Sequence, residues 1–275
     1  MVSSPATARS FARQEGGAGL RDSVWGAREL LVALVARNLR MRYQRSALGF
    51  LWVLLNPVLT TLIMVGVFRY VLHIPVDQYW GFLISGYFAW IFIVHSVTES
   101  AGTIREHSYM ARTLAFPADV LVISTLMSRI LEFVLEIILV ASLLAVFRHG
   151  GVPAAFALLP LAVALLVGMA LALAYPIAAA SVFFKDVEFA LPVGFTLLGY
   201  LSPVFYPLAL VPEAWRDLYS LNPMVGLLGI FHAILYDGRV PPFSLFAISA
   251  VEVTILLVIG RQLFRWKRSL FAEIV

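Results

Sequence analysis

The residues best suited to chemistry in this sequence are charged side chains inside strongly apolar stretches. Arg129, Glu132 and Glu136 lie in one such stretch, and spacings of three and four place them on one helical face. Ionisable groups in apolar spans are usually paired with one another or mark a functional pathway. We expect an intramembrane ion-pair group of Arg129, Glu132 and Glu136 that fixes helix packing.

Two further acids leave a second interpretation open. Glu99 and Glu252 lie in other apolar stretches and could extend the acids of the first stretch into a proton relay. A proton-coupled carrier that uses Glu99, Glu132, Glu136 and Glu252 is therefore an alternative function. Inverted repeats are common in such carriers, and none is obvious in this sequence.

Metal and enzyme chemistry are poorly supported. His95 and Glu99 are four residues apart, but a zinc site needs three or four ligands, so we expect a hydrogen-bonded pair and no metal. The nucleophile motif G-x-S-x-G is absent. The two lysines, Lys185 and Lys267, do not follow a glycine-rich phosphate loop. We therefore predict no catalytic residue and no cofactor in this chain, so that any ATP and Mg would bind to another protein.

The composition indicates the environment of these residues. Of the 275 residues, 61% are hydrophobic and only 13% are charged, against roughly 25% charged in soluble domains. The chain is therefore predicted to be an integral membrane protein. Cysteine is absent, and nothing in the net charge of +4 indicates binding to nucleic acid.

The predicted fold is an all-α membrane domain with six transmembrane helices. A spanning helix needs roughly 20 apolar residues. The run at 224–236 is too short to span, so we predict a re-entrant helical hairpin between helices five and six, within an extracytoplasmic region at 202–240. The six predicted spans cover 47–72, 81–103, 119–147, 153–184, 189–211 and 243–264.

The basic residues predict the orientation of this domain. With six spans and both termini in the cytoplasm, fifteen of the twenty lysines and arginines lie inside and four lie outside. Such a bias follows the positive-inside rule. We therefore predict a polar tail at 1–25, an amphipathic helix along the cytoplasmic interface at 26–45, and a transmembrane domain at 46–275.

Several stretches, in this order, resemble the membrane subunits of type-2 ABC transporters from the polysaccharide-export branch. Each stretch is weak evidence alone, but their order and spacing over about residues 25–275 are specific. They are NLRMRYQRSALGFLWVLLNPVLT, LISGYFAWIFIVHSVTESAGTI, ASVFFKDVEFALP, LSPVFYPLALVPEAW and LYSLNPMVGLLGIFHAIL.

The resemblance implies a transport subunit of the bacterial cytoplasmic membrane. Members of this branch form homodimers on two copies of a separate ABC ATPase and export a lipid-linked polysaccharide of the O-antigen, teichoic acid or capsule type. The family pattern also implies an ATPase coupling loop at 106–119. In that loop Tyr109, Arg112, Phe116 and Pro117 match the recurring positions. An exporter of drugs or small lipids is the nearest alternative.

Aromatic side chains are the candidates for a glycan path, because the apolar faces of sugar rings can stack on aromatic rings. Four prolines between 203 and 223 break the backbone at membrane depth, which is tolerated only beside protein or a water-filled cavity. We therefore expect Phe205 and Tyr206 to belong to an outer gate. The candidates for the glycan channel and its gate are Tyr87, Phe88, Trp90, Tyr200, Phe205 and Tyr206.

Overall fold

The protein is helical throughout the part that its computed structural model describes, which is residues 20–44, 46–73, 75–107, 118–147 and 151–274. These ranges contain nine α-helices and no strand. The helices are α1 (Leu20–Tyr43), α2 (Trp52–Val65), α3 (Tyr79–Glu106), α4 (Ala118–Phe147), α5 (Leu159–Phe183), α6 (Asp186–Tyr200), α7 (Glu213–Ser220), α8 (Pro223–Phe231) and α9 (Phe243–Ile274).

Within the described ranges, five helical segments are long and apolar enough to cross a membrane. Their ends lie within four residues of the predicted spans one, two, three, four and six, because long apolar runs indicate span position well. The count becomes six if a bent pair of shorter helices is taken as one span. The five segments are Gly49–Val71, Tyr79–Glu106, Ala118–Phe147, Ala154–Phe183 and Phe243–Arg268.

The predicted fifth span is wrong in length. Helix α6 has 15 residues, Asp186–Tyr200, and does not continue through the apolar residues up to 211. The chain turns from Leu201 onward, just before Pro203, because proline disfavours a helical conformation in the residue before it and cannot donate a backbone hydrogen bond. The apolar run thus continues beyond the point where the helix ends.

The segment after this break forms two short helices at an angle. Helix α7 and the segment Pro223–Asp237, which consists of α8 and one wide helical turn, are bent by 97° relative to each other. The side chain of Asn222 accepts a hydrogen bond from the Met224 amide at 3.0 Å and so caps the start of α8, where proline occupies the first turn. A bent helical pair therefore lies between α6 and α9, and its re-entrant placement in the membrane stays a prediction.

Helix α3 is the centre of the domain. In its most apolar stretch 78% of the residues are buried, against 12% for the segment Gly49–Val71. It packs on α2, α4, α5, α6 and α8. Because residues of α3 face most of the other helices, it is the element that brings distant side chains together.

Helix α1 begins at Leu20, so the end of the predicted polar tail is helical. Residues 1–19 lie outside the described part of the chain. The helix packs against α4, and Leu34 is buried at 3% exposure whereas Val32 and Met41 are about 60% exposed. This helix therefore has one face on the protein and apolar side chains on the other, and its C-terminal residues reach the charged groups of α3 and α4.

Candidate functional site: an ion network and an aromatic cluster

Four charged side chains from three helices form a closed ring of ion pairs. Arg129 of α4 bonds the Glu99 carboxylate through two nitrogens and donates to Glu132 Oε2 from Nη1 at 2.7 Å. Arg42 of α1 also bonds both carboxylates. Each arginine therefore contacts both glutamates, and the two positive and two negative charges balance within the ring.

The ring is buried on the side of Glu132 and partly open on the side of Glu99. The Glu132 side chain is 4% exposed and that of Arg129 is 15% exposed, whereas Arg42 and Glu99 are 20% and 30% exposed. Tyr43 donates to Glu132 Oε1 at 2.6 Å, and burial, followed by this hydrogen bond, raises the pKa of its phenol. The phenol thus stays protonated as a donor. Buried charges are tolerable only when they are paired and hydrogen-bonded, and this ring meets both conditions.

The composition of the ring differs from the group expected from the sequence. Arg129 and Glu132 pair as their spacing suggests, but none of the ion pairs among the described residues includes Glu136 or Glu252. The expected hydrogen bond between His95 and Glu99 is wrong, because the Glu99 carboxylate bonds two arginines instead.

Sequence analysis missed Arg42 and Tyr43. They lie 90 and 89 residues from Glu132 in the chain, so no local spacing could show these contacts. The basic residues at the end of α1 were the available sign of such contacts, but basic residues there equally fit a plain positive anchor beside the membrane. The structure gives these residues a second role as the contact that holds α1 against α3 and α4.

A cavity of about 270 Å³ adjoins the ring and extends between α2, α3 and α4. Glu136 and His95 lie in its wall, together with Asn56 and Thr60, which are four residues apart on α2. Its wall therefore combines charged, polar and aromatic groups. Tyr87, one of the predicted channel residues, also lines this cavity.

The break after α6 is packed by aromatic rings. Phe205 stacks on Phe68 with ring centroids 5.5 Å apart and planes at 11°. Tyr79, at the start of α3, donates to the Phe205 carbonyl oxygen at 2.7 Å. The rings of Tyr87 and Tyr200 also approach Phe205, at 6.4 and 5.5 Å. The segment after α2, helix α3 and the end of α6 therefore all contact Phe205, which is 7% exposed.

A buried histidine connects the same break to α3 and α8. His232 lies against Phe82 with ring centroids 4.1 Å apart and planes at 3°. Because a carbonyl oxygen can only accept, His232 Nε2 donates to Pro203 O at 3.1 Å, while Nδ1 lies 2.8 Å from Ser85 Oγ. One side chain thus satisfies a backbone carbonyl that the proline-rich break would otherwise leave without a partner.

The remaining predicted channel residues have varied surroundings. Phe88 and Trp90 are buried on α3, and Trp90 packs on Phe195 of α6. Tyr200 is 58% exposed. Tyr206 donates to the Tyr200 carbonyl oxygen at 2.5 Å, and its hydroxyl lies 3.0 Å from that of Tyr219. A role for these residues in the glycan path stays a prediction.

The predicted coupling residues Tyr109, Arg112, Phe116 and Pro117 lie outside the described part of the chain. The described residues next to this segment are at the C-terminal end of α3, where Arg105 forms an ion pair with Glu188 of α6. Both side chains are more than a quarter exposed. This pair connects the end of α3 to the start of α6.

A metal site is not found among the described residues, because no three His, Asp or Glu side chains come close enough to share an ion there. The carboxylates of the charged ring are instead neutralised by its two arginines.

A family model for ABC-2 type transporters matches residues 29–236, which include the ring and the aromatic residues around the break. The chain belongs to the ABC-2 type transporter family.

Other members of this ABC-2 family align with nearly the whole chain. The O-antigen export system permease protein RfbA of Myxococcus xanthus is 36% identical over 250 residues, which are 90% of this chain and 95% of that protein. RfbA of Klebsiella pneumoniae is 26% identical over 90% of this chain and 95% of its own length. The polysialic acid transport protein KpsM of Escherichia coli is 22% identical over 86% of this chain and 93% of its own. The family predicted from the sequence is thus confirmed.

Proposed function

We propose that this chain is the permease subunit of an ATP-driven exporter that moves a lipid-linked polysaccharide across the cytoplasmic membrane. The observation that carries this proposal is the 36% identity to an O-antigen export permease over 90% of the chain. A relative named for polysialic acid transport supports the broader class of substrate, a polysaccharide. O-antigen, teichoic acid and capsule chains all belong to this class.

The proposal includes two copies of this chain on two copies of a separate ABC ATPase, with ATP and Mg bound to the ATPase. The sequence has no glycine-rich phosphate loop followed by lysine, so the proposal assigns ATP binding to another protein. Both termini face the cytoplasm in this arrangement, which accounts for the excess of basic residues there. The segment 106–119 then contacts the ATPase.

A proton-coupled carrier receives less support from the geometry. Two of its four required acids, Glu99 and Glu132, each bond two arginines. Both arginine contacts of a carboxylate would have to break before it could take part in a relay, and buried charges that are paired in this way commonly have a structural role. The ring fits a packing role, and we do not propose a carrier function.

A gene deletion tests the exporter proposal. Cells without this permease should lose one surface polysaccharide and accumulate its lipid-linked precursor at the cytoplasmic face, and the wild-type gene should restore export. Deletion of the partner ATPase should give the same phenotype. Normal surface glycan in both deletion strains would contradict the proposal.

The aromatic cluster at the break is proposed as the outer gate of the glycan path. Phe205 packs against three other rings. The Tyr206 hydroxyl hydrogen-bonds to the Tyr200 carbonyl and the Tyr219 hydroxyl. Loss of both side chains should therefore open this region. The double variant Phe205→Ala/Tyr206→Ala should increase the leak of small solutes through reconstituted resting transporter several-fold. Phe243→Ala is a matched control, because that ring is 86% exposed. An unchanged leak in the folded double variant would exclude the two residues from the gate.

A further inference from the structure

A second, smaller polar cavity lies beside α1, where the C-terminal end of α3 meets α4. Its volume is about 180 Å³, which corresponds to roughly six water molecules at about 30 Å³ each. It is separate from the aromatic cluster and from the proposed glycan path. The residues that determine its chemistry are Arg37 and Asn38 of α1, and Glu106 and His107 at the end of α3.

His107 provides this cavity with an unused hydrogen-bond acceptor. The ring is 8% exposed, and Nδ1 lies 2.8 Å from the Thr103 carbonyl oxygen. Because that oxygen can only accept, Nδ1 carries the hydrogen, and in the neutral ring Nε2 is left as an acceptor. Nε2 is buried and has no hydrogen-bond partner in the described part of the chain. Buried polar atoms are rarely left unpaired in native proteins, so a ligand with an N–H or O–H donor would complete this site.

Two opposite charges at the same cavity also have no ion-pair partner among the described residues. Arg42 and Glu99, which contribute to its wall, are already used in the ring. Arg37 and Glu106 remain, and no ion pair of the described residues includes either one. Arg37 makes one weak contact, from Nε to the Met41 sulfur at 3.4 Å. The cavity thus offers an arginine, a carboxylate and a neutral imidazole acceptor, which suits a small zwitterion with donor hydrogens on its cationic end.

We propose that this cavity binds the phosphoethanolamine head group of a membrane phospholipid. The ammonium group donates to His107 Nε2 and pairs with Glu106, while the phosphate pairs with Arg37 and accepts from the Asn38 amide. The surroundings fit a lipid, because the apolar side chain of Met41 in the cavity wall is 61% exposed. The proposal does not depend on which glycan the permease exports.

A series of head groups that differ only in methylation tests this inference. Native mass spectrometry of the purified chain should be performed with phosphatidylethanolamine, its N-methyl and N,N-dimethyl forms, and phosphatidylcholine, all with the same acyl chains. These ammonium groups carry three, two, one and no donor hydrogens. We expect retention of bound lipid to fall along the series, with at least a tenfold loss for phosphatidylcholine.

Substitutions in the cavity test whether the preference for donor-bearing ammonium groups arises there. His107→Phe removes the acceptor and should abolish discrimination among the four lipids, while His107→Gln supplies an amide oxygen and should keep much of it. Arg37→Gln should weaken binding of all four lipids together. His73→Phe and Arg40→Gln are matched controls, because both side chains are exposed and neither lines this cavity, and they should bind like the wild type.

Two outcomes would overturn the proposal. Equal retention of the four lipids by the folded wild-type chain would exclude recognition of the ammonium hydrogens. A lipid preference that persists in His107→Phe would place the lipid elsewhere. If retention is equal and the His107→Phe change instead weakens binding of the ATPase, the cavity accepts a side chain of the partner and not a lipid. None of these results depends on glycan export.

Discussion

The two ends of helix α3 are stabilised by different physical means. Near its C-terminal end, Glu99 belongs to a ring of four charges that ties α1, α3 and α4 together. At its N-terminal end, Tyr79 and Phe82 belong to a neutral cluster of stacked rings and hydrogen bonds to backbone carbonyls. Twenty residues of helix, about 30 Å, separate Tyr79 from Glu99.

The two ends differ because their backbones have different hydrogen-bonding needs. The charged ring joins three continuous helices whose backbones satisfy their own hydrogen bonds, so within the described part of the chain its side chains bond only one another and Tyr43. The aromatic end surrounds a broken backbone, where carbonyl groups of Pro203 and Phe205 need donors from side chains. Charge therefore fixes helices to each other at one end, and neutral donors support irregular backbone at the other.

The largest expected effect comes from breaking the charged ring. Glu132→Gln removes the most buried charge of the ring and leaves Arg42 and Arg129, which are 20% and 15% exposed, with one carboxylate. Removal of one partner from a buried pair costs about 3–5 kcal/mol. Glu136→Gln is the matched control one turn further along α4, since no described ion pair includes Glu136, and it should change stability by less than about 1 kcal/mol. Unfolding of both variants in mixed micelles by sodium dodecyl sulfate measures the difference. Equal destabilisation would show that the ring is not the main stabilising contact of α4.

A smaller effect is expected from crowding the aromatic end. A Cβ atom on Gly86 would lie 2.6 Å from a ring carbon of His232, so Gly86→Ala must displace that buried ring, and overpacking typically costs about 1–3 kcal/mol. Gly194→Ala on α6 has open space around the new atom and should be neutral or slightly stabilising. The same micelle unfolding assay compares them. A neutral Gly86→Ala would mean that His232 is not held firmly between α3 and Pro203.

The smallest effect is expected at the exposed ion pair between Arg105 and Glu188. Each side chain is more than a quarter exposed, and such pairs contribute about 0–1 kcal/mol because water and salt screen them. Arg105→Gln should therefore lower the melting temperature only slightly in low salt, and the difference should vanish at 1 M salt, where the Debye length is about 3 Å. A large loss that persists in high salt would mean that this contact resembles the buried ring.

Sequence reasoning located the helices of this protein better than their contacts. Span length depends on a run of apolar residues, so the segment Ala118–Phe147 was predicted as 119–147. The fifth span was wrong because hydropathy alone extends it to 211, whereas the backbone preferences around Pro203 end α6 at Tyr200. At that point the backbone restrictions around proline, and not the apolar character of the sequence, determine where the helix ends.

The contacts across the fold could not be predicted in the same way. Arg129 and Glu132 are three residues apart, so helical spacing was enough to suggest their pairing. Arg42 meets Glu99 across 57 residues and Glu132 across 90, and this requires the packing of three helices to be known. His232 was likewise visible only as one of five histidines, and its part in supporting the break depends on the fold.

Reconstitution into liposomes tests the central claim, that this chain moves a lipid-linked glycan only when a separate ATPase drives it. The purified chain would be incorporated with lipid-linked polysaccharide, with and without the partner ATPase, and translocation would be followed by the access of an external glycosidase to the glycan. We predict translocation that requires both the ATPase and hydrolysable ATP, and none with the chain alone or with a non-hydrolysable analogue. Translocation by the chain alone, driven by a proton gradient, would contradict the account.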